Sequence, residues 1–212
     1  DHNLHATLLA PLVTLKSVSG NAVFWVLFGT FFVCGLSTNG LIQTHWISIC
    51  GDFGMAAVTA AGTLAVIGIF DFFGTVFAGW LSDRYDNRLL LFWFYGLRGL
   101  SLLYLSFSGF SVVELSVFAV FYGLDWVATV PPTVKLAAEN FGREKAGLVF
   151  GWVFAGHQLG AATAAFGAGY LKSDYDTYIP ALQIAGLMCL LAALSVLFLK
   201  RPDPAPLATQ AG

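Results

Sequence analysis

Six apolar runs, most of them twenty residues or longer, follow one another from residue 21 to residue 199 with only short polar breaks between them. About 20 mostly apolar residues in a helix cover a hydrocarbon core about 30 Å thick, and a lipid-exposed backbone must satisfy its own hydrogen bonds. The runs at 21–44, 55–81, 89–108, 112–139, 146–170 and 178–199 therefore predict six transmembrane helices in an all-α integral membrane protein. Composition agrees: 58% hydrophobic residues, 10% charged residues and a mean hydropathy of +0.77 contrast with about 25% charged and about 45–50% apolar residues in a soluble domain. A net charge of −2 offers no basic patch, so nucleic acid is an implausible partner. Cys34, Cys50 and Cys189 lie on separate runs without C-x-x-C spacing, which indicates neither a zinc site nor a disulfide framework, and no cofactor is expected.

Lys and Arg in the short loops set the expected orientation. Lys16, Arg84, Arg88, Arg143, Lys145, Lys200 and Arg201 collect on one side and only Lys172 on the other, which puts both ends of this segment in the cytoplasm. Trp25, Trp80 and Trp93 are expected near the cytoplasmic boundary and Trp46 near the outer one, where indoles anchor among headgroups. Residues 1–19 carry a single Lys and lack the pattern of a signal peptide. Residues 200–212 read as a cytoplasmic tail.

Charge is concentrated in Gly79-Trp80-Leu81-Ser82-Asp83-Arg84-Tyr85-Asp86-Asn87-Arg88, between the second and third runs. Unpaired charges are excluded from hydrocarbon, so this decapeptide is a tight turn outside the membrane. It resembles the G-x-L-x-D-R-x-G-R-[RK] signature of the major facilitator superfamily of secondary transporters, with Gly79, Leu81, Asp83, Arg84 and Arg88 matching. Asp86 and Asn87 depart from it, standing where Gly and Arg are usual. The stretches Tyr122–Val134 and Phe150–Gly160 resemble the tenth and eleventh helices of a bacterial monocarboxylate-porter-like subgroup. The resemblance implies that 20–199 is the C-terminal six-helix half, helices seven to twelve, made of two inverted three-helix repeats, with substrate held between the halves. It also implies that 1–19 ends a central cytoplasmic loop, that the chain is a fragment lacking an N-terminal half or else a natural half-transporter that dimerises, and that the protein resides in a bacterial inner membrane. Asp83 is then expected to oppose the positive N-terminal end of a helix in the other half, with Arg84 and Arg88 bracing the loops.

Asp71, Arg98, Asp125 and His157 lie nine to fourteen residues inside their runs, about 13–21 Å deep at about 1.5 Å per residue. Ionisable groups at that depth face the bundle or an aqueous cavity. Arg98 is expected to be the counter-ion of Asp71, Asp125 or both, either as a buried lock between three helices or as a pair that exchanges partners or shares a proton. His157, beside Gln158, is either hydrogen-bonded scaffold or a cavity wall that handles substrate or a coupled proton. Gly147/Gly151 and Gly156/Gly160 form two G-x-x-x-G spacings that predict close helix packing. Asn39 and Gln43, four apart, share a face with either a vestibule or a substrate-contact role. Pro131 and Pro132 bend the fourth run and free the carbonyls of Val127 and Ala128, which the hydroxyls of Thr129 and Thr133 are placed to satisfy. Lys135 and Glu139 are expected to pair at that helix end.

These features favour secondary transport of a small organic anion such as a monocarboxylate, with efflux of an amphipathic drug or metabolite as the alternative. A third, an intramembrane enzyme, lacks the G-x-S-G, H-E-x-x-H and P-loop strings such chemistry uses. In a background without native cysteines, single cysteines at Asn87 and Asp174 should label from opposite sides of the membrane. Labelling of both from outside would overturn the orientation.

Overall fold

The computed structural model describes residues 2–199, with side chains from Leu9 onward. Lys200, Arg201 and the tail 200–212 lie outside the described residues, which are helical apart from short turns and contain no strand. Helix α1 (His2–Val18) occupies the stretch read as the end of a loop. α2 (Ala22–Gly35) and α3 (Thr44–Asp52) are joined by a π-helical segment, Leu36–Gln43. α4 (Ala57–Ser82), α5 (Asn87–Phe107), α6 (Val112–Asp125), α7 (Val130–Phe141), α8 (Arg143–Tyr175) and α9 (Ile179–Val196) follow.

Five helical stretches have both the length and the hydropathy of a membrane span: 22–52, α4, α5, 112–141 and α9. The fifth predicted run, 146–170, lies within α8, which at 33 residues is long enough to cross. Its glycines with His157 and Gln158 keep it less apolar than the others. Polar residues are tolerated there because α8 is packed along α2 and the π segment rather than fully exposed to lipid.

The six expected spans pair as first with fifth (α2 on α8), second with fourth (α4 on α6) and third with sixth (α5 on α9). Exchanging the first three spans for the last three leaves this pairing unchanged, as two inverted three-helix repeats require. Small residues bring each pair into backbone contact. A Cβ at Gly35 would lie 1.9 Å from the His157 carbonyl oxygen, and one at Gly160 1.9 Å from that of Phe32. On the other two seams, a Cβ at Gly74 would lie 2.0 Å from the Leu124 carbonyl oxygen, and one at Gly99 2.8 Å from that of Gly186. The Gly156/Gly160 spacing thus lies in a packed seam, whereas Gly147 and Gly151 have nothing within 4 Å of a built Cβ. Among the described residues the Gly147/Gly151 spacing meets no other helix, because it falls on the open side of α8.

Trp46 also departs from expectation. It is fully buried, donating from Nε1 to the Ala60 carbonyl (3.0 Å) and the Thr63 hydroxyl (2.9 Å), whereas Trp25, Trp80 and Trp93 are exposed as boundary indoles should be. Burying the polar tip is tolerated because α4 supplies both acceptors.

Gly35→Ala or Gly160→Ala should lower stability in detergent by about 1–3 kcal/mol through overpacking. Gly147→Ala should be neutral or stabilising, by up to about 1 kcal/mol. Thermal unfolding of the purified protein measures both.

Candidate functional site

The first span of each repeat is irregular at membrane depth. In the first, the hydroxyls of Ser37 and Thr38 donate back to the carbonyls of Val33 and Cys34 (2.9 and 2.7 Å), which competes with the α-helical ladder and favours the wider π turn. In the fourth, Pro131 and Pro132 cannot donate to the preceding turn, so the helix stops at Asp125 and restarts at Val130, with the prolines in its first positions. The expected bend is therefore an interruption of the α-helical ladder over 126–129, where the N–H groups of Trp126, Ala128 and Val130 donate three residues back, to Gly123, Asp125 and Val127. The two irregular segments touch: the Tyr122 hydroxyl donates to the Ser37 carbonyl at 2.7 Å, and Cys34 Sγ lies 3.5 Å from Thr129 Oγ1.

Side chains from neighbouring helices satisfy the break. Arg98, at the middle of α5 and fully buried, uses all three guanidinium nitrogens. Nε donates to Asp125 Oδ2 at 2.6 Å, Nη2 to the carbonyls of Asp125 (2.5 Å) and Trp126 (3.1 Å), and Nη1 to Cys34 Sγ at 3.1 Å. The Trp126 carbonyl is available because Val130 N–H donates instead to Val127. Asp71 of α4, half-buried, accepts Val127 N–H on Oδ1 at 3.0 Å and the Thr75 hydroxyl at 3.2 Å. Arg98 and Asp125 are the ion pair, and Asp71 caps an open backbone donor. The Thr133 hydroxyl bonds the Thr129 carbonyl at 2.6 Å, and the Val127 carbonyl takes the Val130 N–H, so the expected rescue by threonine hydroxyls is not the one used.

His157 turns inward, 7% exposed. Its ring stacks on Phe154 with centroids 5.2 Å apart and lies 5.5 Å from Phe31. Its buried Nδ1 and Asp125 Oδ1 have no hydrogen-bond partner. Gln158 and Gln43 are exposed, and Asn39 is half-buried with its side-chain oxygen accepting from the Thr38 hydroxyl at 3.2 Å. The structure thus brings Arg98 and Asp125 into one cluster with Asp71 at the same break. Gln158, Gln43 and Asn39 remain outside it. Sequence reasoning missed Cys34 and Tyr122, which as a lone thiol and a lone phenol in apolar runs carried no signal. It also missed the role of Ser37 and Thr38 in the π turn.

In the decapeptide, Asp86 supplies the N-cap of α5, accepting Arg88 N–H at 3.0 Å, and pairs with the Arg88 guanidinium at 2.8 Å. That accounts for an acid where the signature has glycine. Arg88 also donates to the Leu199 carbonyl, Ser82 bonds Asn87 at 2.6 Å, and Arg84 lies over the Trp80 ring at 4.3 Å. Gly79 and Leu81 close the end of α4, their carbonyls accepting from Asp83, Arg84 and Tyr85. Asp83 is held within this bundle: Lys135 of α7 donates to its Oδ1 at 2.7 Å and to the Ser82 carbonyl at 2.9 Å. Lys135 is therefore engaged by Asp83 rather than by Glu139 as expected. The lysine holds the Asp83 carboxyl below its ordinary range. Because the folded value is the lower one, the contact contributes above the ordinary carboxylate range and is lost as pH falls through that lower value.

Residues 52–212 match the family model described as Major Facilitator Superfamily. The chain belongs to the major facilitator superfamily. It is also similar to a Bacillus subtilis (strain 168) protein named "Uncharacterized MFS-type transporter YcxA", with 29% identity over 149 residues. That alignment covers 68% of this chain and 36% of the relative, so the chain spans about a third of the relative's length.

Removing one member of a buried ion pair costs about 3–5 kcal/mol because the other charge is stranded. Arg98→Ala should therefore lower folded yield in detergent, and combining it with Asp125→Asn should restore part of it. Asp71→Asn should not rescue. Rescue by Asp71→Asn alone would reassign the ion pair.

Proposed function

We propose that this chain forms the C-terminal half of a secondary active transporter that moves a small organic solute by alternating access, with a monocarboxylate or related organic anion as the substrate class. The observation that carries the reading is the pairing of two interrupted spans, one from each repeat, in contact at membrane depth. Interrupted helices in corresponding positions of inverted repeats are the structural mark of a transporter's binding region. The family membership and the name of the Bacillus relative support it. The N-terminal half completes the cavity, the Lys and Arg bias supports both ends of this segment facing the cytoplasm, and the Bacillus relative supports a bacterial inner membrane.

Arg98 is not the anion ligand in this reading, since each of its nitrogens already donates to protein. The exposed neutral amides Gln158 and Gln43 and the half-buried Asn39 are the groups of this half assigned to the carboxylate. Asp71 and His157 carry a coupled proton. Asp71 is the half-exposed acid at the break, and His157 is the buried imidazole with an open nitrogen. Protonating Asp71 removes the charge that holds Val127 N–H and so ties proton uptake to the backbone of the broken span.

The full-length protein in proteoliposomes should take up a labelled short-chain monocarboxylate faster under an inward proton gradient. His157→Ala should reduce uptake more than it reduces membrane expression. Gradient-independent uptake, or transport of an amphipathic cation in place of the monocarboxylate, would overturn the substrate and coupling assignments and favour efflux.

A further inference from the structure

We propose that α1 is a membrane-surface helix that docks on the cytoplasmic leaflet, seating Leu9, Leu12 and Val13 among acyl chains beside anionic phospholipid headgroups held by Lys16, Arg143 and Lys145. The proposal rests on the cytoplasmic placement of this end of the segment and needs no particular substrate. One face of α1 is already occupied, since Thr14 and Val18 are buried against the bundle. Leu9, Leu12, Val13 and Lys16 follow the i, i+3, i+4, i+7 spacing of a single helical face, on the side away from Thr14 and Val18. The three apolar side chains are 53%, 57% and 65% exposed, a contiguous stripe that water disfavours.

Two indoles fix how α1 lies. Trp152 of α8 donates from Nε1 to the Pro11 carbonyl at 2.9 Å, and Trp25 of α2 donates to the Ser19 carbonyl at 2.8 Å. A Cβ at Gly156 would lie 3.0 Å from the Phe28 carbonyl oxygen and one at Gly160 1.9 Å from that of Phe32, so α2 and α8 run in the same direction with residue 24 level with residue 152. Trp25 and Trp152 therefore stand at one depth. The stretch from Pro11 to Ser19 is about 12 Å long at about 1.5 Å per residue. Held at both ends at one depth, it runs along the membrane surface rather than across it. Indoles collect where headgroups meet acyl chains, so that depth is the surface of the leaflet, and the outward stripe of α1 is placed to enter it.

Charge selects the headgroup. Lys16, Arg143 and Lys145 are exposed, and among the described residues none of them stands in an ion pair. Glu144 lies between the last two, which leaves a net of two positive charges. Arg143 precedes Trp152 by nine residues of the same helix, about 13 Å nearer the cytoplasm, at the level of the phosphates when the indoles sit at the inner edge of the headgroup layer. Lys16, on an in-plane helix, reaches the same layer by extending its stem.

The test is fluorescence of an NBD probe attached at Leu12→Cys, in the full-length protein without native cysteines, reconstituted into phosphatidylcholine and phosphatidylglycerol vesicles. Nitroxide-labelled phosphatidylglycerol should quench the probe about twofold to fivefold more than the same mole fraction of nitroxide-labelled phosphatidylcholine, the order expected for a few cations at an anionic surface. Aqueous iodide should not quench it. Adding Lys16→Gln, Arg143→Gln and Lys145→Gln should equalise the two lipids while iodide stays excluded. Quenching by iodide would put the stripe in water, and quenching by neither lipid nor iodide would put it under the other half of the protein. Either result, or equal quenching by the two lipids before the cations are neutralised, would overturn the proposal.

Discussion

A guanidinium buried at the middle of α5 determines how the fourth span can exist. Two prolines break that span where no water is available to replace a lost backbone hydrogen bond, and each unsatisfied group there costs several kcal/mol. Arg98 gathers the open carbonyl of Trp126, the carbonyl of Asp125 and the Asp125 carboxylate, while Asp71 takes the open N–H of Val127. The buried ion pair need not add net stability, because desolvation offsets much of its attraction. Its consequence is specificity: three helices are fixed at one level, and the break can adopt few other arrangements.

That junction also explains the distribution of small residues. Helices that must bring a guanidinium, a carboxylate and a thiol into contact need close axes, and the seams around the junction are made of glycines meeting carbonyl oxygens. The same closeness turns His157 inward, since its carbonyl lies against Gly35 and its ring is held between Phe31 and Phe154. The exposed amides are then Gln43 and Gln158, while Arg98 and Asp71 bond the interrupted backbone.

At the end of α4 the charged turn does two jobs. Asp86 caps α5 and holds Arg88, which ties α5 to the end of α9, so the third and sixth spans are joined outside the apolar region as well as within it. Asp83 engages Lys135 and joins the second span to the second part of the fourth. Departure from the family signature at Asp86 thus exchanges a flexible position for a helix cap, worth about 1 kcal/mol in typical settings.

Hydrophobic run length gave the membrane-spanning stretches, because a span is a local property that only a helix can satisfy, but it gave neither helix α1 nor the interruptions within the first and fourth spans. The decapeptide pointed to the family through its resemblance to the signature, and its charges, which cannot enter lipid, placed it in a turn. The break at Pro131 and Pro132 was legible as a disturbance, because a missing N–H is written in the residue type. Which groups would repair it was not. Arg98 could have met either acid, and only the packing of α5 against the end of α6 placed the guanidinium on Asp125 and left Asp71 to the amide of Val127. Asp83, Trp46 and Cys34 belong to the same class. Their partners, Lys135, Thr63 and Arg98, lie 52, 17 and 64 residues away in the chain, and contacts across such separations are set by which helix faces meet, a property of the assembled bundle that no single run encodes.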